Sequence, residues 1–309
     1  MISRYKQPGR RPRAAQPLLY IAVMNKLLAL GLSLPLLACV VGSDSTGNDG
    51  TGPGTGPGSN PGGTVDTALH ISSDMTLSAT YDVAKQTVVD AGVTVTIPPG
   101  ATVKFAPSTA IEVRGTVIVQ GTKASPVHLS PATAGGHHEG FTVSPGGKLT
   151  MTYGIQVGGG ISVNGGEATV SDSLMSQASG DFLVVGAGKV TVSFSAIGLE
   201  PGTGTDTTHC NMHFGGTGTT ISVTHSNISG SPFGLMLYGG TNVDLTSNNW
   251  ISNGVQVELQ PGVAGDVSLG FFDKATPGPI SGATLTKNNL AQARLPAATT
   301  DPINGTGPR

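Results

Sequence analysis

The chain has 309 residues, of which 11% are charged and 47 are glycine, and its formal net charge is −2. Ordinary globular domains carry roughly 25% charged residues, so this composition is typical of an all-β protein with many short strands and glycine turns. The small net charge and the lack of a basic stripe after residue 40 argue against nucleic acid as a partner. Two cysteines are too few for a disulfide-stapled framework.

The N-terminal region contains a short apolar run, MNKLLALGLSLPLLAC at residues 24–39, that predicts a secretory signal. The run is too short to span a bilayer as a helix. Its last four residues, LLAC, resemble the lipobox of bacterial lipoproteins, and that resemblance implies that Cys39 carries a lipid. We therefore interpret residues 1–39 as a signal peptide with lipobox, in which Met24 is an alternative start. A generic signal peptide that happens to end in cysteine is the competing interpretation.

Residues 40–63 are rich in glycine, proline and serine and predict a flexible linker. The N-terminal lipid would then be the only membrane attachment, with the folded body held clear of the lipid surface. Because valine follows Cys39, analogy with lipoprotein sorting places the protein at the outer membrane or cell surface. Residues 64–295 are expected to form the folded body, and 296–309 an irregular tail.

The body repeats one pattern, in which two short apolar-alternating strands are separated by a glycine turn. The steps between equivalent inward positions are 21, 22, 31, 22, 22 and 18 residues, which are typical of a solenoid. The equivalent positions are Leu149, Val170, Val192, Val223, Leu245, Val267 and Leu285. A second inward column is predicted at Val143, Val163, Val185, Phe214, Leu237 and Leu259. A third is predicted at Met175, Ile197, Ile228, Trp250, Phe272 and Leu290, with Gly154 as its exception and a stack of Asn227, Asn249 and Asn289 beside it.

The run VVDAGVTVTIPPGATVKFAPSTAIEVRGTVIVQGTKASPVHLSP, residues 88–131, resembles the opening coils of bacterial right-handed parallel β-helix proteins, the pectate-lyase-like group. The resemblance implies an all-β, right-handed parallel β-helix with coils of about 22 residues. It does not imply one function, since lyases, hydrolases, adhesins and scaffolds share the fold. The Asn-Thr-Asp, Asp-Asp, Gly-His-Gly and Arg-Ile-Lys motifs of its hydrolases do not occur here.

One coil carries about nine extra residues within 198–216, and this segment contains His209, Cys210 and His213. These are metal-ligand residue types. Two residues four apart on a strand are roughly 13 Å apart, which argues against a closed tetrahedral site. A loop with a half-buried cysteine is the alternative interpretation, and no cofactor is predicted. A second cluster, His137-His138-Glu139, is weakened as a site because adjacent strand residues point in opposite directions.

The predicted register turns four side chains, Val184, His213, Met236 and Tyr238, toward solvent on neighbouring coils. An exposed apolar and aromatic group on such a surface is a candidate docking face. The sequence therefore favours a non-enzymatic surface lipoprotein that binds an extracellular polysaccharide or a surface protein. A polysaccharide lyase or hydrolase and an inert envelope scaffold remain the alternatives.

Overall fold

The computed structural model describes residues 66–200, 209–216, 218–239, 241–274 and 282–296. All of them belong to the unit Gly63–Arg309. The predicted signal peptide, Cys39, the linker and most of the predicted tail lie outside the described residues. Within the described part of the chain, no helix is long and apolar enough to cross a membrane.

The body is an all-β parallel solenoid with about 22 residues between coils. Each complete coil contributes one strand to each of three faces, and the paired strands are parallel. The first face contains β1 Leu69–Ile71, β4 Thr87–Val89, β7 Ala110–Val113, β10 Gly140–Val143, the first parts of β13 Gly160–Ser171 and β15 Leu183–Ser193, β17 Cys210–Phe214, β20 Phe233–Leu237 and β23 Val255–Leu259.

The second face contains β2 Met75–Thr76, β5 Thr94–Ile97, β8 Thr116–Gln120, β11 Lys148–Thr152, the second parts of β13 and β15, β18 Thr220–Thr224, β21 Thr241–Asp244, β24 Ala264–Asp266 and β26 Thr284–Thr286. The third contains β3 Thr80–Val83, β6 Thr102–Phe105, β9 Val127–Pro131, β12 Gly154–Val157, β14 Leu174–Ser176, β16 Ala196–Ile197, β19 Asn227–Ser229, β22 Asn249–Ile251 and β25 Phe271–Phe272. Because β13 and β15 continue round the corner, the described strands of the first two faces form one sheet of 17, and those of the third face form a separate sheet of nine.

The inward column on the first face confirms the predicted register. Val143 pairs with Val163 and Val163 with Val185, and the pairing continues through Phe214 and Leu237 to Leu259. None of these side chains is more than 1% exposed. Since side chains alternate between the two sides of a strand, this burial turns the residues between them outward.

The predicted column on the second face is right in the middle and wrong at both ends. Met151, not Leu149, pairs with Val170, and Leu285 pairs with Gly265 rather than aligning with Val267. Both errors are slips of two residues, so the misassigned side chains still point inward. They arise because the steps from Met151 to Val170 and from Gly265 to Leu285 are 19 and 20 residues long, shorter than the 22-residue repeat on which the prediction was aligned.

The third-face column is corrected in the same way. Gln156, not Gly154, pairs with Met175, and it is a fully buried amide within an otherwise apolar column. An isolated bridge pairs Phe271 with Ala291, so Leu290 does not align with Phe272 and lies outside the column. Two of the three predicted asparagines stack, and Asn249 Nδ2 donates to Asn227 Oδ1 at 3.0 Å. Asn289 is not part of this stack and has a positive φ.

A polar ladder that the sequence analysis missed lies at the corner before the third face. Its members, Ser173, Ser195, Ser226 and Asn248, are fully buried. The Ser195 hydroxyl accepts a hydrogen bond from the backbone N–H of Ser173 at 3.2 Å. One coil further on, the Ser226 hydroxyl accepts from the N–H of Ser195, and on the next coil Asn248 Oδ1 accepts from the N–H of Ser226. The side chains thereby satisfy backbone donors that have no strand partner at the corner.

The fold predicts different costs for inward and outward substitutions on the first face. Phe214→Ala removes a fully buried ring between Val185 and Leu237, so we expect a loss of about 3–5 kcal/mol in the free energy of unfolding. Thr142→Ala, at a half-buried outward position, should change it by less than about 0.5 kcal/mol. Urea unfolding followed by circular dichroism measures both; equal losses would contradict the register.

Candidate functional site

A cluster of four polar side chains lies on the first face, where two coils meet. Leu183 pairs with Met212 and Val184 with His213, so the same register places Asp181 opposite Cys210. Asp181 precedes β15, and its carboxylate accepts the backbone N–H of Cys210 at 3.2 Å, where β17 begins.

The Asp181 carboxylate is the centre of the cluster. Its Oδ1 lies 2.6 Å from His209 Nδ1 and accepts the Cys210 thiol at 2.9 Å, and its Oδ2 lies 3.1 Å from His213 Nδ1. Cys210 Sγ is also 3.5 Å from His209 Nδ1. Cys210 is fully buried, whereas the side chains of His209, His213 and Asp181 are 48%, 30% and 14% exposed.

The cluster differs from the expectation drawn from strand spacing. The rings of His209 and His213 are 6.2 Å apart, much closer than the roughly 13 Å spacing expected along a strand. His209 precedes the strand rather than lying within it, and both rings lean toward the same carboxylate. Asp181 was not singled out from the sequence, although aligning Val185 with Phe214 places it beside Cys210.

Hydrogen bonds and burial shift the two acidic groups of the cluster in opposite directions. Burial favours a higher pKa for Asp181, but hydrogen bonds from His213, Cys210 and His209 outweigh it and lower the pKa to about 2. Burial, together with the neighbouring Asp181 charge, raises the pKa of the Cys210 thiol far above its ordinary value. The cluster therefore holds a carboxylate and a protonated thiol side by side.

The cluster has the composition of a metal centre. One ligand atom from each of Asp181, His209, Cys210 and His213 can be chosen so that all four lie within 4.8 Å of one another. A sulfur, two imidazole nitrogens and a carboxylate oxygen are the donor types that Zn²⁺ takes in tetrahedral sites. The three residues named from the sequence are thus brought together, with a fourth donor added.

The predicted docking residues adjoin this cluster. Val184, His213 and Met236 pair on consecutive coils, as the predicted register requires, but all three are half-buried rather than exposed. The Tyr238 ring contacts the His213 ring edge to face, with centroids 4.9 Å apart. Its hydroxyl is 3.5 Å from Oε1 of Glu258, and burial and the Glu258 charge raise the pKa of Tyr238. We call Val184, His213, Met236 and Tyr238 the outward patch.

A groove borders the cluster on the side of the earlier coils, between His138, Glu139, Ser162 and Asp181. As expected for adjacent residues, His137 and His138 diverge: His137 is exposed and His138 is only 4% exposed. The His138 ring stacks on Phe105 at 4.2 Å, and its Nε2 lies 3.0 Å from the Val157 carbonyl oxygen. Its role is therefore mainly in packing.

Both arginines of the described body are engaged by carboxylates. Arg114 Nε and Nη2 donate to the two oxygens of Glu112 at 2.6 and 2.9 Å. Arg294 binds both oxygens of Glu200, which attaches the C-terminal segment to the start of the long coil. Leu295 extends this attachment by exchanging two hydrogen bonds with the Asn249 side chain.

Comparison of the chain with protein-family models, curated proteins and solved structures found no match.

The burial of His138 predicts a pH dependence of stability. Burial lowers its pKa below the ordinary value of 6.5, so the unfolded chain takes up this proton first as the pH falls. The contribution of neutral His138 to the free energy of unfolding is complete above pH 6.5. Below that pH the free energy of unfolding falls by up to about 1.4 kcal/mol per pH unit. His138→Gln keeps a donor for Val157 and should reduce the loss of stability between pH 7.5 and 5.5, measured by urea unfolding.

The exposed neighbour supplies the control for this prediction. His137→Gln should leave the difference in unfolding free energy between the two pH values as in the unmodified chain. If His138→Gln also leaves it unchanged, burial of the imidazole does not govern the acid sensitivity.

Proposed function

We propose that the protein is a non-enzymatic surface lipoprotein that presents its solenoid as a rigid rod and binds extracellular polysaccharide through the outward patch. The observation that carries this proposal is the alignment of Val184, His213 and Met236 on three consecutive coils, with Tyr238 packed against His213. Consecutive strands are about 4.8 Å apart, so these side chains form a short, fixed track.

The size and chemistry of the patch favour a sugar chain over a protein. A stable protein interface buries about 800 Å² on each partner, which is more than four half-buried side chains can supply. A sugar ring needs only an apolar or aromatic surface for its C–H face and a few polar groups for its hydroxyls. Tyr238 and Met236 offer the first, and the Tyr238 hydroxyl and the Glu258 carboxylate offer the second.

Several features support binding without cleavage. Arg114 and Arg294 are both held by glutamates, so neither is poised as the basic residue that a polysaccharide lyase uses to abstract a proton. The Asp181 carboxylate is surrounded by donors that keep it ionised, which does not suit a general acid. The runner-up is an enzyme acting on acidic polysaccharide, and a scaffold without a ligand is the third candidate.

Binding and cleavage can be distinguished in one experiment. The purified full-length protein is incubated with a panel of neutral and acidic polysaccharides, and both retention on the polysaccharide and release of new sugar ends are recorded. We expect retention without release. Release of ends that a single substitution on one face abolishes would contradict the non-enzymatic proposal, and the absence of both would favour the scaffold.

The outward patch predicts which substitutions weaken retention. Met236→Ala and Tyr238→Ala should each lower affinity about tenfold, because aromatic and apolar anchors at the centre of a contact dominate its energy. The matched control is Thr169→Ala, an exposed outward residue on the second face, which should bind like the unmodified chain. Equal affinity in all three variants would exclude the outward patch as the binding surface.

A further inference from the structure

We propose that Asp181, His209, Cys210 and His213 form a binding site for one Zn²⁺ ion. The proposal goes beyond the polysaccharide-binding function and stands or falls independently of it. It rests on side chains from two adjacent coils whose donor atoms converge on one point.

The spacing of the donor atoms fits a tetrahedral ion after small movements. Ligands at 2.0–2.3 Å from Zn²⁺ are separated from one another by roughly 3.3–3.8 Å. The donor atoms of the cluster lie between 2.6 Å and 4.8 Å apart. Adjustments of about 1 Å would bring these separations into the tetrahedral range.

The charges of the four ligands balance the ion. Zn²⁺ carries two positive charges, the Asp181 carboxylate supplies one negative charge, and the Cys210 thiolate supplies the other. Binding releases the thiol proton to solvent, while the two imidazoles coordinate as neutral ligands. The complex is then neutral overall, which suits a site in which Cys210 is fully buried and Asp181 largely so.

The strands that carry the ligands would hold them in place before the ion binds. Cys210 and His213 lie on β17, which pairs with strands on both sides, and Asp181 lies directly before β15. Cys210 is further fixed by its backbone N–H, which donates to Asp181. His209 is flanked by the Phe233 ring at 6.1 Å and His213 by the Tyr238 ring. Ligands held by rigid strands lose little freedom on binding.

The number of protein ligands indicates the role of the ion. A zinc that catalyses hydrolysis keeps an open position for water, whereas four protein ligands close the coordination sphere. The ion would therefore be structural, joining β17 to the turn before β15. It would hold the start of β17 against the neighbouring coil, and it would fix the His213 ring beside Tyr238.

The test uses the full-length protein, free of affinity tags and stripped of metal with a chelator. Titration with Zn²⁺ by calorimetry should show one ion per chain, and titration with Co²⁺ should give a sulfur-to-cobalt absorption band. Cys210→Ser should abolish that band. Asp181→Asn, Cys210→Ser and His209→Gln should each weaken Zn²⁺ binding by more than about 100-fold, since even groups that only orient ligands are worth about 10- to 100-fold.

The control is His225→Gln, which alters an imidazole that stacks on Phe194 outside the cluster and should bind Zn²⁺ like the unmodified chain. His209 is 48% exposed, so His209→Gln keeps the proposal testable if the more buried variants fail to fold, as judged by circular dichroism. No stoichiometric Zn²⁺ binding by the unmodified chain would overturn the proposal. Binding by His209→Gln with unchanged affinity would overturn the assigned ligand set.

Discussion

The register between successive coils is the constraint on which the rest of the structure depends. Side chains alternate along each strand, so burying one column of apolar residues determines which residues face solvent. On the first face, Val143 through Leu259 form this column without interruption. The same pairing places His213 between Val184 and Met236 on the outside, and Asp181 beside Cys210. The cluster and the outward patch are thus both consequences of how the core is stacked.

Much of the fold could be predicted from the sequence, because each coil repeats the same local pattern. The 22-residue step and the apolar alternation were enough for the all-β solenoid and for the first inward column. Errors arose where coils change length: Leu149 and Leu285 were each displaced by two residues, and Gln156 was missed as a buried amide within an apolar column. Local alternation does not determine how many residues a turn takes up.

The candidate site was less predictable, because its side chains come from different coils. His209, Cys210 and His213 could be named from their types, but spacing along one strand argued against their meeting. Asp181, 28 residues before His209, draws them together. Such a contact depends on register across the long coil and on the orientation of side chains at strand ends, and neither is encoded in a local pattern. Through His213, the cluster adjoins Tyr238 and the outward patch, so one region of the first face combines polar donors with a half-buried aromatic ring.

Disulfide trapping tests the central claim, the register between these two coils, most directly. Neighbouring parallel strands are about 4.8 Å apart, within the 4.4–6.8 Å that a disulfide requires between Cα atoms. Asp181→Cys should therefore crosslink to Cys210 on mild oxidation, detected as a joined peptide by mass spectrometry after proteolysis. Asn164→Cys, an exposed residue whose strand partner is Ala187, should not. Absence of the 181–210 crosslink above that control would contradict the register, and with it the placement of the cluster and the outward patch.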